Sequence, residues 1–295
     1  MIMAQNTSAA KPLTLGIVGV GLIGASIGLA HKQAKTFDKV LGVGRSEANL
    51  NEAIKMGAID QAVSLEQCAK ESDVIVVCVP VAQTFSILHA IEPHLKQNAL
   101  ITDAGSTKND VIMAAKTALG DKVAQFVPAH PIAGGAQHGA SAAKADLYQG
   151  KEVIICPLQE NAPAAVEAIN EFWLSTGANT HRMSSIQHDA VFAAISHLPH
   201  VLSFALMLQV ANAEDANVKL GHAGAGFRDF TRIAASSPEM WRDISLANKT
   251  ALLKEMDQYL NLTKQLRDMI AKEDGDALLK AFTRASAERQ KWEGR

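Results

Sequence analysis

Leu13-Thr-Leu-Gly16-Ile-Val-Gly19-Val-Gly21-Leu-Ile-Gly24 is the stretch that decides the fold. A short apolar, β-branched run reads as a buried strand, and it passes directly into a G-x-G-x-x-G spacing at Gly19, Gly21 and Gly24. A helical pattern follows from about Leu22 to Gln33. Strand, glycine turn and helix in immediate succession are the unit that cradles a dinucleotide pyrophosphate. Gly19 allows the tight turn, Gly21 lets backbone approach a phosphate, and Gly24 lets the helix pack on the strand. The N–H groups that open the helix, at Leu22 and Ile23, then face an anion with no intrahelical partner.

Outward from this unit the pattern repeats. Val40–Gly44, Val74–Val79, Ala99–Asp103, Gln125–Ala129 and Lys151–Cys156 read as further strands, and helical patterns recur near Glu47–Met56 and Ala164–Thr176. Near-continuous apolar strands separated by helices predict a Rossmann-type doubly wound, mostly parallel sheet over residues 13–183. From 184 to 295 no strand pattern appears. Asp189–Asn212, interrupted at Pro199, Pro238–Ala247 and Thr250–Met269 have helical spacing, so an all-helical C-terminal domain is expected. Its long apolar helices fit a dimer interface, and equally a self-contained helical core.

Composition excludes several classes. Of 295 residues, 48% are hydrophobic and 20% charged, as in a globular protein, and a net charge of -2 without a basic run argues against nucleic acid or an anionic membrane as partner. Residues 1–12 are polar and read as a flexible tail rather than a signal peptide. No apolar run approaches the ~20 residues of a membrane span. Cys68, Cys78 and Cys156 form no CxxC pair and read as reduced thiols, so a cytoplasmic protein without a metal site is expected.

Cofactor choice rests on the end of the second strand. An acid there would bind the ribose 2′-hydroxyl of NAD, but Gly44-Arg45-Ser46 occupies the place, with Glu47 as the first carboxylate. A guanidinium and a hydroxyl suit a 2′-phosphate, which favours NADP over NAD. Arg45 as a solvated loop charge and Glu47 serving NAD remain open. Val79, Pro80 and Asp103, at the ends of later strands, join the candidate cofactor site.

The reacting end lies on the same sheet edge. Thr102-Asp-Ala-Gly-Ser-Thr-Lys108 ends a strand and begins a helix, so Ser106 is either a substrate contact or a helix cap. His130-Pro-Ile-Ala-Gly134 follows another strand, and an imidazole in a glycine-bounded loop suits proton acceptance near neutrality.

The glycine motif, Asp103–Lys108, His130–Gly134, Ser196-His-Leu-Pro-His200, Phe227-Arg-Asp-Phe-Thr-Arg232 and Ala234–Trp241 occur in the order seen in prephenate/arogenate dehydrogenases. The chain resembles that family from about Leu13 to the C-terminal helices, in its free-standing form. The resemblance implies oxidative decarboxylation of prephenate or arogenate, with hydride transfer to NAD(P), in tyrosine biosynthesis. It implies His130 as hydrogen-bond and proton acceptor and Ser106 as its orienting partner. It also implies Arg232 as the carboxylate ligand, His200 and His197 as substrate-facing groups, and Trp241 as an aromatic reaching a partner subunit's site, while Asp229, three residues before Arg232, reads as orienting it across one helical turn. Without the family, His197 and His200 read as packing histidines and Trp241 as a core or interface residue. One departure stands out: Gly135-Ala136-Gln137-His138 replaces the Thr-Glu pair of some members, so their carboxylate gate does not carry over.

Other readings are a β-hydroxyacid or 6-phosphogluconate type dehydrogenase, a dinucleotide-sensing module, and a Ser106-His130-Asp103 hydrolase. The first wants a lysine in the helix from His188 to Met207, the second has no need of a proton acceptor, and the third wants a G-x-S-x-G elbow.

Overall fold

The computed structural model describes residues 13–135 and 137–293, so the tail expected over 1–12 lies outside the described residues. Five strands, β1 (Thr14–Val18), β2 (Lys39–Val43), β3 (Gln61–Ala62), β4 (Val74–Val77) and β5 (Leu100–Asp103), form a parallel sheet in the order β3-β2-β1-β4-β5. Alternation along the strands buries both faces. Leu15, Ile17 and Val76 enter one core cluster, while Val18, Ile75, Val77 and Ile101 enter the other. The crossovers are α1 (Leu22–Ala34), α2 (Glu47–Lys55), α3 (Leu65–Glu71) and α4 (Thr84–Ile91), with α5 (Asn109–Leu119) following β5. Strand order reverses between β1 and β4, which opens a crevice at the carboxyl ends of the strands.

The sheet does not continue through all the expected strands. After β5 the chain makes one bond to it, Val127 N to Ile101 O at 2.8 Å, then meets Pro128, which has no N–H to extend the ladder. The segment turns away and becomes β6 (Ala129–Pro131), antiparallel to β7 (Glu152–Ile155). With β8 (Asn179–Arg182), parallel to β7, these form a second, three-stranded sheet. His130 therefore sits within a strand of that smaller sheet. α6 (Pro163–Leu174) places Phe172 and Trp173 in the core shared by both sheets.

The remainder is helical: α7 (Ser185–Phe192), α8 (Leu198–Ala211), α9 (Ala216–Gly221), α10 (Ala225–Thr231), α11 (Pro238–Ala247), α12 (Lys249–Ala271) and α13 (Gly275–Glu293). Pro199 does not interrupt the long apolar helix as expected. A π-turn over Ala193–His197 joins α7 to α8, and its wider spacing absorbs the bond and the space that proline denies a regular helix. The joined Ser185–Ala211 runs 27 residues with a mean hydropathy of 1.7 in its most apolar window. This corrects the expectation of no span-length segment: by length and composition alone, one helix among the described residues could cross a bilayer. Four polar residues that it carries, His188, Asp189, His197 and His200, make contacts with protein groups described below.

Candidate active site

The glycine turn shows three different demands on backbone space. Gly19 has φ +98°, and a Cβ there would lie 2.5 Å from Cys78 O. At Gly24 a Cβ would come within 2.2 Å of Gly19 O, so only glycine lets α1 start this close to the turn. At Gly21 a Cβ would meet nothing within 4 Å; the space beside it is open cleft. No side chain caps α1 and its first turn carries no acid, so its first N–H groups stay available to an anion. These features fit a dinucleotide pyrophosphate.

The cleft has a volume of about 420 Å³. Gly21, Leu22, Ile23 and Gly24 form one wall, and Val79 and Pro80, after β4, form another. Ser106, after β5, and His130 in β6 face it, and α11, with its N-cap Ser237, closes it from the helical half through Met240, Asp243 and Ile244. The loop residues Gly134, Gly135, Gln137 and His138 also line it.

Beneath this wall lies a buried polar framework. Asp103 is 2% exposed and does not face the cleft. Its Oδ1 accepts from Ala129 N (2.9 Å), its Oδ2 accepts from Gly105 N (2.8 Å), and it pairs with the ammonium of Lys108. Lys108, 0% exposed, also donates to Ala129 O at 2.7 Å. One carboxylate and one ammonium thus clamp the Ser106 loop to the strand carrying His130. This departs from the cofactor role expected of Asp103 and leaves the hydrolase reading without its acid.

Ser106 is not the cap of α5. That helix begins at Asn109, and its first N–H groups are capped from the other half of the chain. Asp189 in α7 accepts from Lys108 N (2.8 Å) through Oδ1 and from Asn109 N (2.9 Å) through Oδ2. Burial pushes the Asp189 carboxyl up, but hydrogen bonds from His188 and these two amides outweigh it and hold it below the usual carboxylate range. His188 Nδ1 lies 2.8 Å from Asp189 Oδ1, and His188 Nε2 lies 2.8 Å from His130 Nδ1. Phe192 packs against both imidazoles, with ring centroids 4.9 Å from His130 and 4.5 Å from His188.

Burial, then the neighbouring His188, Lys108 and His197, push the His130 pKa well below 6.5. Burial also lowers His188. Both rings are therefore neutral at neutral pH, the state a proton acceptor requires.

The other expected substrate groups lie off the cleft wall. His197 is buried, lowered to about 4 chiefly by burial, with Nδ1 3.1 Å from Asn248 Nδ2. His200 donates from Nδ1 to Ser196 O (2.8 Å) and stacks on Trp241 at 3.5 Å between centroids, with 19° between ring planes. Trp241 is thus a core partner of His200 within its own chain. Arg232 is exposed, opening a 3-10 turn (Arg232–Ala235), and its charge contributes to lowering the His200 pKa. Asp229 is exposed on α10, and among the described residues no ion pair joins it to Arg232. Arg45 and Ser46 are exposed at the end of β2, where Ser46 Oγ caps α2 by accepting from Asn49 N at 3.3 Å.

Sequence reasoning missed Lys108, His188, Asp189, Asp243 and Asn248. The available signal was the adjacent His188-Asp189 pair within an apolar helix, which had to find polar partners.

Comparison with known proteins agrees with this arrangement. The prephenate dehydrogenase nucleotide-binding domain matches residues 27–182, and the prephenate dehydrogenase dimerization domain matches residues 184–284. The chain is 37% identical over 276 residues to prephenate dehydrogenase of Bacillus subtilis (strain 168), covering 92% of this chain and 74% of that protein. It is 35% identical over 271 residues to cyclohexadienyl dehydrogenase of Zymomonas mobilis, covering 91% of this chain and 92% of that one. The solved structure of A. aeolicus prephenate dehydrogenase in complex with hydroxyphenyl propionate and NAD+ superposes with a TM-score of 0.89 at 29% identity, covering 96% of this chain and 99% of that one. With two domain matches spanning nearly all of its described length, the chain belongs to the prephenate dehydrogenase family.

Proposed function

We propose that the chain oxidises the ring alcohol of prephenate or arogenate with loss of the ring carboxylate as CO2, in tyrosine biosynthesis. The observation that carries this reading is a neutral, half-buried imidazole, His130, on the wall of a cleft that also holds a glycine-turn phosphate cradle. When bound, the nicotinamide supplies the hydride acceptor. His130 accepts the proton of the ring hydroxyl, which raises electron density on the carbinol carbon as hydride departs. Ser106, across the same cleft, orients that hydroxyl. Aromatisation supplies much of the driving force, so the chain's task is to position the carbinol carbon and receive one proton.

Arg232 and His200 lie off the described cleft wall, and they are proposed as ligands of the substrate carboxylates from the resemblance of their motifs to the family. Both lie in the helical half, whose exposed apolar side chains, among them Leu208, Val218, Leu260 and Leu262, support a homodimer. NADP is the proposed cofactor, with NAD the alternative, because the exposed Arg45 at the β2 end is free to meet a 2′-phosphate. A four-way assay of prephenate and arogenate against NADP and NAD tests the reading. Reduced cofactor and CO2 in equal amounts support it; no turnover in any combination overturns it.

A further inference from the structure

Between His130 and the helical domain runs a hydrogen-bonded line of three side chains. Asp189 Oδ1 lies 2.8 Å from His188 Nδ1, and His188 Nε2 lies 2.8 Å from His130 Nδ1. Asp189 and His188 are 2% and 0% exposed, so no solvent competes for these contacts.

The line has a direction because one end of it is fixed. The Asp189 carboxylate accepts from two backbone amides at the start of α5, Lys108 N and Asn109 N, which favours its ionised, acceptor-only form. An ionised Asp189 requires a proton on His188 Nδ1. A neutral His188 then has only a lone pair at Nε2, so His130 must carry its proton on Nδ1 to complete the contact. His130 lines the cleft, and the nitrogen it has left to offer a ligand is Nε2, as a lone pair.

We propose that His188 and Asp189 are positioning residues that hold His130 in the tautomer with Nε2 unprotonated and facing the substrate. The inference rests on the dehydrogenase reading of the cleft. When the ring-hydroxyl proton arrives at Nε2, His130 becomes an imidazolium whose Nδ1–H still donates to His188. The Asp189 charge behind His188 stabilises that cation without itself taking the proton. The charged and titratable groups acting on His130 are His188 from α7, Lys108 from the loop below and His197 from the π-turn, while Asp189 of α7 and Asp103 at the end of β5 act on His188. Lys108 is neutralised by Asp103, which leaves Asp189 as the uncompensated negative charge at the far end of the line.

Asp189 thereby joins two tasks. The same carboxylate caps α5 in the nucleotide-binding half and orders the imidazole pair. The helix that carries His188 thus sets the proton acceptor and locks the Ser106 loop in one step.

The test combines a spectroscopic and a kinetic readout. In the wild-type protein, the ring ¹⁵N signals of His130, assigned by comparison with His130→Asn, should show Nδ1 protonated and Nε2 unprotonated at neutral pH. His188→Leu removes the acceptor for Nδ1–H; His188→Gln places an amide oxygen near the position of Nε2. The leucine variant is expected to lose about 10²-fold or more in kcat, with KM and cofactor Kd changed less than about threefold. The glutamine variant should recover about tenfold of that loss, because a merely structural histidine would not be rescued by one correctly placed oxygen. A wild-type His130 protonated at Nε2, or a leucine variant turning over within twofold of wild type, overturns the inference. If the leucine variant fails to fold, the wild-type ¹⁵N signature still decides. Absence of turnover by the wild type would remove the dehydrogenase reading and leave the tautomer measurement standing on its own.

Discussion

Asp189 accepts a hydrogen bond from the backbone amide of Lys108 at 2.8 Å, across 81 residues of chain and from one half of the molecule to the other. Together with the contact to Asn109 N at 2.9 Å, it substitutes for the side-chain cap that α5 lacks locally. Asp189→Asn leaves one amide oxygen where two carboxylate oxygens accepted, and places donors against donors. Loss of a buried charged acceptor of this kind is expected to cost about 2–4 kcal/mol, read as a lower denaturation midpoint at unchanged m-value. The pH dependence has a defined sign. The folded carboxyl lies below its unfolded value, so the stabilisation is present above the ordinary carboxylate range near ~3.9 and is lost as pH falls through the depressed folded value. A wild-type midpoint that does not fall more steeply than that of Asp189→Asn below that pH would refute the cap.

Gly21 and Gly24 should fail in different ways. A Cβ at Gly24 would lie 2.2 Å from Gly19 O, so Gly24→Ala should destabilise the fold by about 1–3 kcal/mol through overpacking. At Gly21 a Cβ meets only the cleft. Gly21→Ala should keep the wild-type melting temperature while weakening dinucleotide binding about tenfold or more, by obstructing the phosphates. Calorimetric titration with both cofactors separates the two; equal affinity in Gly21→Ala would place the pyrophosphate elsewhere.

Arg45→Asp exchanges a cation for an anion at the β2 end. NADP affinity should fall about 10–100-fold and NAD affinity less than about threefold, since only the 2′-phosphate distinguishes the two. Parallel losses for both cofactors would return Arg45 to the solvated loop.

Burial sets the protonation of His130. Its pKa lies well below 6.5, so the acceptor form persists through neutral pH and the acid limb of kcat/KM should lie below pH 6.5. Steady-state rates across pH in a buffer of constant ionic strength report it. An acid limb centred above pH 6.5 would mean that His130 is charged in the resting enzyme.

The parts legible from sequence were those encoded by neighbours along the chain. Gly19, Gly21 and Gly24 announce themselves because the turn, the helix start and the close approach occur within a few residues. β1, β2, β4, β5 and β7 follow from apolar runs, whereas β3, two residues long, and β8, a largely exposed Asn179–Arg182, carry no such run. Pro199 misled because the π-turn just ahead of it absorbs it, so the proline that signals a break only marks the start of α8. Within the site, Ser106 was visible just past a strand end, and His130 beside a glycine-bounded loop, though it sits within β6 rather than after a strand. Their support was not: Asp103 with Lys108, and Asp189 with His188, acquire meaning only when tertiary packing brings segments tens of residues apart into contact. The reading of Asp103 as a cofactor residue came from its place at a strand end, and its burial beneath the cleft follows from the need of Lys108 for a counter-charge.

The most direct test compares turnover of the wild type and His130→Asn with prephenate and with arogenate, recording reduced cofactor and CO2 together. The expected result is one reduced cofactor per CO2 for the wild type. His130→Asn should lose about 10²–10⁴-fold in kcat at unchanged cofactor affinity. A wild type inactive with both substrates and both cofactors, or a His130→Asn variant as fast as the wild type, would contradict the account.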